Sequence, residues 1–360
     1  MVYSVDMYAI NVTFRESITN HRAVFVHSYC DMKVIIVLFS LLAVSLSGRI
    51  WGPADFNPLS DEFIEFLNED QFSWKAGRNF PEDVQLEQLR KLCGYKQEKD
   101  DYSLQLKVNN EDMDIPPEFD GRKYWSNCPS LREIRNQGNC GSCWAFAATE
   151  AMTDRICIKS KGKHQFHLSA ENLLSCCETC GNGCNGGNPH KAWQYFEEKG
   201  IVTGWGFHSH KGCQPYTIPS IIGHPEFPTP SCEHRCETGY NETYAQDKHF
   251  GISSYAIPKD VSQIQTEIMK NGPVEVGFQV YADFFHYKSG VYINHVKGIS
   301  HGHAVKIIGW GEENGVPYWL IANSWGNKWG DNGLEIGNAG LKTEAKVNEG
   351  LYTINEVIKL

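Results

Sequence analysis

The sequence has few basic residues for its size and no dense run of them. Its 360 residues include 33 lysines and arginines against 43 aspartates and glutamates, for a net charge of −10 at pH 7. Because binding to nucleic-acid phosphates requires a basic surface, this balance argues against a nucleic-acid partner. Internal repeats are also absent. A hydrophobic content of 41% still supports a sizeable core, in two domains or one two-lobed domain.

An apolar run long enough to span a membrane is missing too. The run VIIVLFSLLAVSL is thirteen residues long, whereas a spanning helix needs about 20. A basic residue, Lys33, precedes it and small residues follow it, which is typical of a secretory signal. We therefore predict a signal peptide at residues 32–48, no stable membrane anchor, and a lysosomal or secreted location.

Residues 1–31 precede this signal and form a doubtful N-terminal extension. Signals normally begin at the first residue of a chain, so we expect translation to start at Met32. A cytosolic tail on a membrane-anchored protein is the alternative.

Cysteine is too sparse for a small disulfide scaffold but too frequent for a reduced cytosolic enzyme. The chain contains 13 cysteines, which indicates an oxidising compartment. Cys30 lies before the signal cleavage site, and Cys93 lies in a segment that we expect to be removed. An odd number remains, so one thiol lacks an internal partner.

The chain changes character at residue 115. Residues 49–114 are acidic, with helical spacing in LSDEFIEFLNED and VQLEQLRKLCG and an exposed linker, NNEDMDIPPEF, before the change. Beyond it, we predict a helix over 143–158, a loop over 173–190, and strands in PVEVGFQV, HAVKIIGW and YWLIAN. The fold class is therefore α+β, with a helical first lobe and a strand-rich second lobe.

The stretch QGNCGSCWAF, residues 137–146, carries the chemistry. Cys140 and Cys143 have the spacing of a redox pair, but no βαβ pattern surrounds them. Cys143 opens an apolar helix, where unpaired N–H groups and the helix dipole stabilise a thiolate. We interpret Cys143 as the unpaired nucleophile. Far downstream, His303 and Asn323 complete the order Cys, His, Asn of papain-like proteases, with Gln137 six residues before the cysteine.

Other cysteines allow a second interpretation. Spacings of the C-x2-C type are also found in zinc sites, and four cysteines cluster in this way: Cys176, Cys177, Cys180 and Cys184. A secreted protein favours disulfides, and no second pair follows at zinc-ribbon distance. We expect no metal and no cofactor.

From about Glu62 to Asn332 the chain resembles a cathepsin B preproenzyme of the papain-like cysteine protease family. The motifs that carry the resemblance are WKAGRNF, QGNCGSCWAF, SAENLLSCC, GCNGG, GCQPYTIP, QDKHFG, KNGPVEVGF, YKSGVY, GHAVKIIGWG and YWLIANSW. The resemblance implies a papain-like fold with a helical left lobe and a β-barrel-like right lobe. It also implies a propeptide at 49–114 and a peptidase domain at 115–360.

The resemblance further implies the roles of individual residues. His303 acts as base and acid, Asn323 orients it, and Trp325 shelters their hydrogen bond. Gln137 and the backbone N–H of Cys143 form the oxyanion hole. Gly186 and Gly187 allow a substrate backbone to approach. The implied disulfides are Cys128–Cys157, Cys140–Cys184, Cys176–Cys232, Cys177–Cys180 and Cys213–Cys236. Asn241, in NET, is a glycosylation acceptor.

The sequence departs from the cathepsin B pattern in the loop that blocks the primed side of the cleft. This loop normally carries two adjacent histidines that bind a substrate's terminal carboxylate. Here the loop is shorter, His224 stands alone, and Arg235 follows His234. Further departures are His301, where the family has glycine, and a poorly matching C-terminal segment, in which the acidic subsite residue would fall near Asn348 or Glu349.

These observations predict a cysteine endopeptidase made as a zymogen, with weak or absent dipeptidyl carboxypeptidase activity. Its expected partners are protein and peptide substrates, its own propeptide as inhibitor, and cystatin-type inhibitors, and we expect a monomer. The alternatives are a catalytically silent binding protein on the same fold and a disulfide oxidoreductase.

Overall fold

The structure is a computed structural model, and it describes residues 55–69, 73–96, 104–110, 113–220, 227–294, 296 and 298–337, together with the backbone of 353–358. The chain divides into two units, Met1–Gly52 and Pro53–Leu360. The predicted extension and signal peptide therefore lie outside the described residues, as do His224, Asn348 and Glu349. Within the described part, no helix is both long and apolar enough to cross a membrane.

The residues of the predicted propeptide that the structure describes include three short helices and strands. Helix α1 covers Asp61–Glu69, strand β1 covers Trp74–Ala76 and helix α2 covers Leu86–Arg90. The hydroxyl oxygen of Ser60 accepts the N–H of Phe63 at 3.2 Å, which caps the start of α1. Phe63 belongs to the same apolar cluster as residues of the second lobe. The helical spacing read from the sequence is confirmed here.

The first lobe is helical, as predicted. Strand β2 (Phe119–Asp120) leads into helix α3 (Gly121–Tyr124), and the long helix α4 follows at Cys143–Lys159. Nearly all of α4 is buried, since its residues from Cys143 to Cys157 all lie in the interior. This central helix positions Cys143 in the interior at its first turn.

The predicted loop over 173–190 is partly wrong. Helix α5 runs over Ala170–Cys176 and helix α6 over Pro189–Glu198, so both enter that range. The hydroxyl of Ser169 caps α5 by accepting the N–H of Asn172 at 2.9 Å, and Asn188 caps α6. Cysteines and glycines interrupt the apolar spacing that would indicate these helices, although both capping residues can be recognised in the sequence.

The second lobe contains helix α7 (Val261–Asn271) and a sheet. Its strands are β3 (Gly251–Ile257), β4 (Val274–Val280), β5 (Tyr287–Tyr292), β6 (His301–Glu313), β7 (Val316–Ala322), β8 (Leu334–Gly337) and β9 (Thr353–Ile358). The order of the described strands is β1-β5-β8-β7-β6-β4-β9-β3, and β2 pairs with β6. The pairs are antiparallel except β5 with β8. All three predicted strands are confirmed, and β1 of the predicted propeptide extends the sheet.

Buried ion pairs join the two lobes. Lys306 of β6 is 1% exposed and donates to Asp154 of α4 at 2.6 Å, with Glu150 at 3.7 Å. Arg155 of α4 lies 3.1 Å from Glu267 of α7. Burial raises the pKa of Glu150 to about 7, although Lys306 opposes the shift. Because these charged groups are buried away from water, the loss of one would leave the charge of its partner uncompensated.

The described part of the chain contains five disulfides, and they join the pairs that the resemblance implies: Cys128–Cys157, Cys140–Cys184, Cys176–Cys232, Cys177–Cys180 and Cys213–Cys236. Among the described residues, the cysteines outside disulfides are Cys93 and Cys143. The zinc interpretation needs free thiols in the cysteine cluster, and the redox-pair interpretation needs Cys140 to be free for Cys143. In the structure the cluster and Cys140 form disulfides. The structure therefore contradicts those two readings of the cysteines.

Candidate active site

The thiol of Cys143 lies at the N-terminus of α4, where the backbone N–H of Trp144, in the first turn, hydrogen-bonds to the sulfur. Its sulfur is fully buried and accepts the N–H of Gly94, in the predicted propeptide, at 3.1 Å. The backbone N–H of Ala304 also hydrogen-bonds to it. Ala304 directly follows His303, so the sulfur of α4 meets β6 where the imidazole is attached.

The imidazole of His303 is held by one hydrogen bond and two aromatic rings. Its Nε2 lies 2.9 Å from Oδ1 of Asn323, the residue after β7. Because an amide oxygen only accepts, Nε2 carries the proton and Nδ1 presents a lone pair. The ring of Trp325 lies 4.6 Å from the imidazole centroid, and the edge of Phe278 lies at 5.8 Å. The imidazole is therefore fixed in the tautomer that a general base needs.

Burial keeps the two reactive groups neutral in this covered cleft. It raises the pKa of Cys143 to about 12, although the N–H groups of Ala304 and Gly94 oppose the shift. It lowers the pKa of His303 to about 4, against the opposing effect of Asn323. Desolvation penalises the charged form of each group. A thiolate at Cys143 paired with an imidazolium at His303 is therefore disfavoured while the cleft is covered.

Gln137 aims its amide nitrogen at a peptide carbonyl beside Cys143. Its Nε2 donates to the carbonyl oxygens of Leu92 at 2.8 Å and Cys140 at 2.7 Å. Its Oε1 accepts the hydroxyl of Ser324 at 2.7 Å, which fixes the orientation of the amide. A preorganised donor directed at a carbonyl oxygen is what an oxyanion hole supplies.

The backbone of residues 92–96 passes through the cleft between the lobes. On the first lobe, Gly187 accepts the N–H of Lys96 and donates to the carbonyl of Gly94, both at 2.9 Å. On the second lobe, the carbonyl of Gly302 accepts the N–H of Tyr95 at 3.0 Å. We name this arrangement the backbone clasp, formed by Gly187 and Gly302 around residues 94–96.

The two predicted glycines lie at this clasp. Gly186 has φ +101°, and a Cβ there would lie 2.6 Å from the carbonyl oxygen of Gly94. A side chain at Gly187 would meet the Trp144 ring at 2.5 Å. Gly186 therefore allows the close approach of the Gly94 backbone, and Gly187 leaves room for the ring of Trp144.

Sequence reasoning missed three residues of the cleft. The ring of Tyr95 lies against Gly277 of β4, where a Cβ would come within 2.6 Å of it. Gly302 holds the backbone of Tyr95, as described above. The resemblance gave no reason to single out these positions, although the motif KNGPVEVGF includes Gly277.

The remaining predicted residues lie around the cleft or on the surface. His301 is half-buried and borders the same cavity as Arg90 of α2. The pKa of His301 is lowered mainly by burial and, to a smaller extent, by the positive charge of Arg90. His234 stacks edgewise on Tyr244 at 5.3 Å. Arg235 is exposed and pairs with Glu233 at 3.2 Å. Asn241 is exposed on a turn.

Comparisons with known proteins bear on both parts of the chain. The family described as Papain family cysteine protease matches residues 115–352. The family described as Peptidase family C1 propeptide matches residues 59–99.

Individual relatives carry names that agree with these family matches. A protein of Schistosoma japonicum named Cathepsin B-like cysteine proteinase is 45% identical, over 83% of this chain and 91% of its own length. Cathepsin B-like cysteine proteinase 6 of Caenorhabditis elegans is 43% identical, over 76% of this chain and 77% of its own. The solved structure of proCathepsin B S9 from Trypanosoma congolense superposes with a TM-score of 0.73 at 34% identity, covering 84% of this chain and 100% of that one.

Proposed function

The chain belongs to the papain family of cysteine proteases, as a cathepsin B-like zymogen, and we propose that its matured form is an endopeptidase with Cys143 as nucleophile. The observation that supports this assignment is the arrangement around one sulfur. Cys143 begins α4, His303 and Asn323 form a hydrogen-bonded pair beside it, and a peptide backbone lies across it.

The proposed reaction follows from this geometry. In the open cleft, His303 takes the proton of Cys143, and the thiolate attacks the substrate carbonyl to form a C–S bond. Gln137 and the N–H of Cys143 stabilise the oxyanion. The imidazolium then gives its proton to the leaving amine as the C–N bond breaks. Water, activated by the same imidazole, hydrolyses the thioester and restores the thiol.

The division of the chain is part of the proposal. Residues 49–114 are the propeptide, which ends near Asp114, and residues 115–360 are the peptidase domain. The clasp supports an inhibitory role for the propeptide, since residues 94–96 occupy the space of a substrate. Residues 32–48 would direct the protein into the secretory pathway, to a lysosome or outside the cell. The exposed Asn241 would be glycosylated. We further propose a monomer that cystatin-type inhibitors can bind.

Endopeptidase activity is proposed because His234 and Arg235, the described residues of the shortened loop that could hold a terminal carboxylate, have other partners. His234 packs on Tyr244 and Arg235 pairs with Glu233. We therefore expect the matured enzyme to cleave a peptide with a blocked C-terminus as efficiently as the same peptide with a free C-terminus. The measurement is kcat/KM for both, with products identified by mass spectrometry. Dipeptide release as the main activity would contradict the proposal.

Replacing Gln137 by alanine tests the oxyanion hole. We expect kcat to fall by on the order of 10²-fold with little change in KM, because the lost donor acts mainly on the transition state. The matched control is Ser324→Ala, which removes the hydroxyl that orients this amide and should reduce kcat less. An unchanged kcat in Gln137→Ala would exclude this residue from the oxyanion hole.

A catalytically silent binding protein on the same fold is the second candidate. It is disfavoured because Cys143, His303 and Asn323 are all present, His303 is hydrogen-bonded to Asn323, and the backbone N–H of the next residue, Ala304, hydrogen-bonds to the sulfur of Cys143. A thiol-directed epoxide separates the two candidates. We expect the epoxide to modify Cys143 in the matured protein, and failure to react would favour the silent protein.

A further inference from the structure

A buried histidine lies where the propeptide contacts the second lobe. His286 ends a 3₁₀ helix, Ala282–His286, directly before β5, and is 4% exposed. Its backbone carbonyl accepts the N–H of Gly77 at 2.8 Å. The carbonyls of its two chain neighbours both accept the side-chain amide of Asn79, at 3.0 and 2.8 Å. The strip around His286 is therefore part of the surface on which the propeptide docks.

The imidazole itself is enclosed by propeptide atoms. Its Nε2 lies 2.7 Å from the carbonyl oxygen of Pro58 and donates its proton to it. The edge of the ring packs against Phe63 of α1, with centroids 5.8 Å apart. Nδ1 is buried, and the described residues offer it no hydrogen-bond partner. A second proton at Nδ1 would place a positive charge in this buried site.

The charged groups that act on this ring both come from the propeptide. Arg78 disfavours the imidazolium and Asp61 favours it, and the two are paired with each other at 2.5 Å. The backbone groups of Pro58 and Gly77 also favour the charged ring. Burial outweighs them, so the pKa of His286 is lowered from its ordinary value of 6.5 while the propeptide is docked.

We propose that His286 is an acid-sensitive contact of the zymogen, whose protonation loosens the propeptide from the peptidase domain. The inference rests on the proposed assignment of residues 49–114 as propeptide. The docked form binds this proton more weakly than a form in which the ring meets water. Protonation of His286 therefore does not weaken docking well above pH 6.5. As the pH falls below that value, the undocked form takes up the proton more readily and docking becomes weaker.

The test measures how often the cleft of the intact zymogen opens. Full-length zymogens of wild type, His286→Leu and His286→Gln are treated briefly with a thiol-directed epoxide at pH 7.5 and pH 5.0. Modification of Cys143 in the uncleaved chain is quantified by mass spectrometry and peptide mapping. Each rate is divided by the rate for the matured form of the same variant at the same pH, which removes the pH dependence of the thiol itself.

We expect this ratio to rise on acidification in wild type. In both variants the rise should be smaller than in wild type by about threefold or more. Glutamine keeps a donor for the carbonyl of Pro58 but cannot be protonated, so its loss of the rise separates titration from packing. His208→Gln, which alters an exposed histidine of the first lobe outside the propeptide contacts described above, is the matched control and should retain the wild-type rise.

The proposal is overturned if both His286 variants show the wild-type rise. Correct folding of each variant is established by its matured kcat/KM on a blocked peptide, which should equal that of wild type because His286 does not touch the reacting groups. If the matured wild type neither cleaves peptides nor reacts with the epoxide, the proposed function fails instead, so the two failures are distinguishable.

Discussion

Replacing Cys143 by serine is expected to lower kcat/KM of the matured enzyme by on the order of 10⁵-fold, equivalent to about 7 kcal/mol of transition-state stabilisation. Serine has nearly the same volume but a much less acidic hydroxyl, so the helix N-terminus and His303 cannot produce the anion that attacks. The measurement is cleavage of a blocked fluorogenic peptide after maturation by an added protease, because this variant cannot process itself.

The matched control is Cys93→Ser, which changes the other described cysteine outside a disulfide. Cys93 leaves with the propeptide, so the matured activity of this variant should equal that of wild type. Residual activity of Cys143→Ser within tenfold of wild type would mean that another group attacks the substrate. Equal melting temperatures of the two variant zymogens would show that the loss is chemical rather than structural.

The second large effect is expected in stability. Lys306→Met should lower the free energy of unfolding by about 3–5 kcal/mol, because it leaves the buried carboxylates of Asp154 and Glu150 without the cation between them. The measurement is chemical unfolding of the zymogen in the inactive Cys143→Ser background. Since burial raises the pKa of Glu150 to about 7, this carboxyl is protonated at pH 5, and the loss should be larger at pH 8.

An exposed lysine provides the control for this prediction. Lys163 lies on the surface, and Lys163→Met should change the free energy of unfolding by no more than about 0.5 kcal/mol. The double variant Lys306→Met with Asp154→Asn should recover part of the loss, because it removes one of the uncompensated charges. A Lys306→Met protein as stable as wild type would show that the lobes do not depend on this ion pair.

The sequence predicted the elements whose pattern is local. The helix that begins at Cys143 and the strand that contains His303 follow from apolar spacing and from their glycine and asparagine boundaries. The disulfide pairs came from resemblance and not from the residues, because cysteine positions alone allow many connectivities. The sequence predicts a loop over 173–190 because its cysteines and glycines leave no periodic apolar face, although Ser169, just before this range, and Asn188, within it, cap helices.

Contacts that depend on tertiary approach were not predictable. The backbone clasp uses N–H and C=O groups, which nearly every residue has, so beyond Gly186 and Gly187 the sequence does not indicate which residues form it. His286 was not distinguished from a surface histidine, because its burial comes from Pro58 and Phe63, more than 200 residues away in the chain. Lys306 likewise sits in an apolar strand, and only the packing of α4 against β6 shows which carboxylates it meets.

The distribution of thiols has a practical consequence for anyone who handles the matured protein. Ten of the eleven cysteines between residues 115 and 360 form disulfides, which leaves Cys143 as the one free thiol in that range. Any reagent that counts sulfhydryls under non-reducing conditions therefore counts competent molecules. A preparation can be standardised by stoichiometry, without a reference substrate.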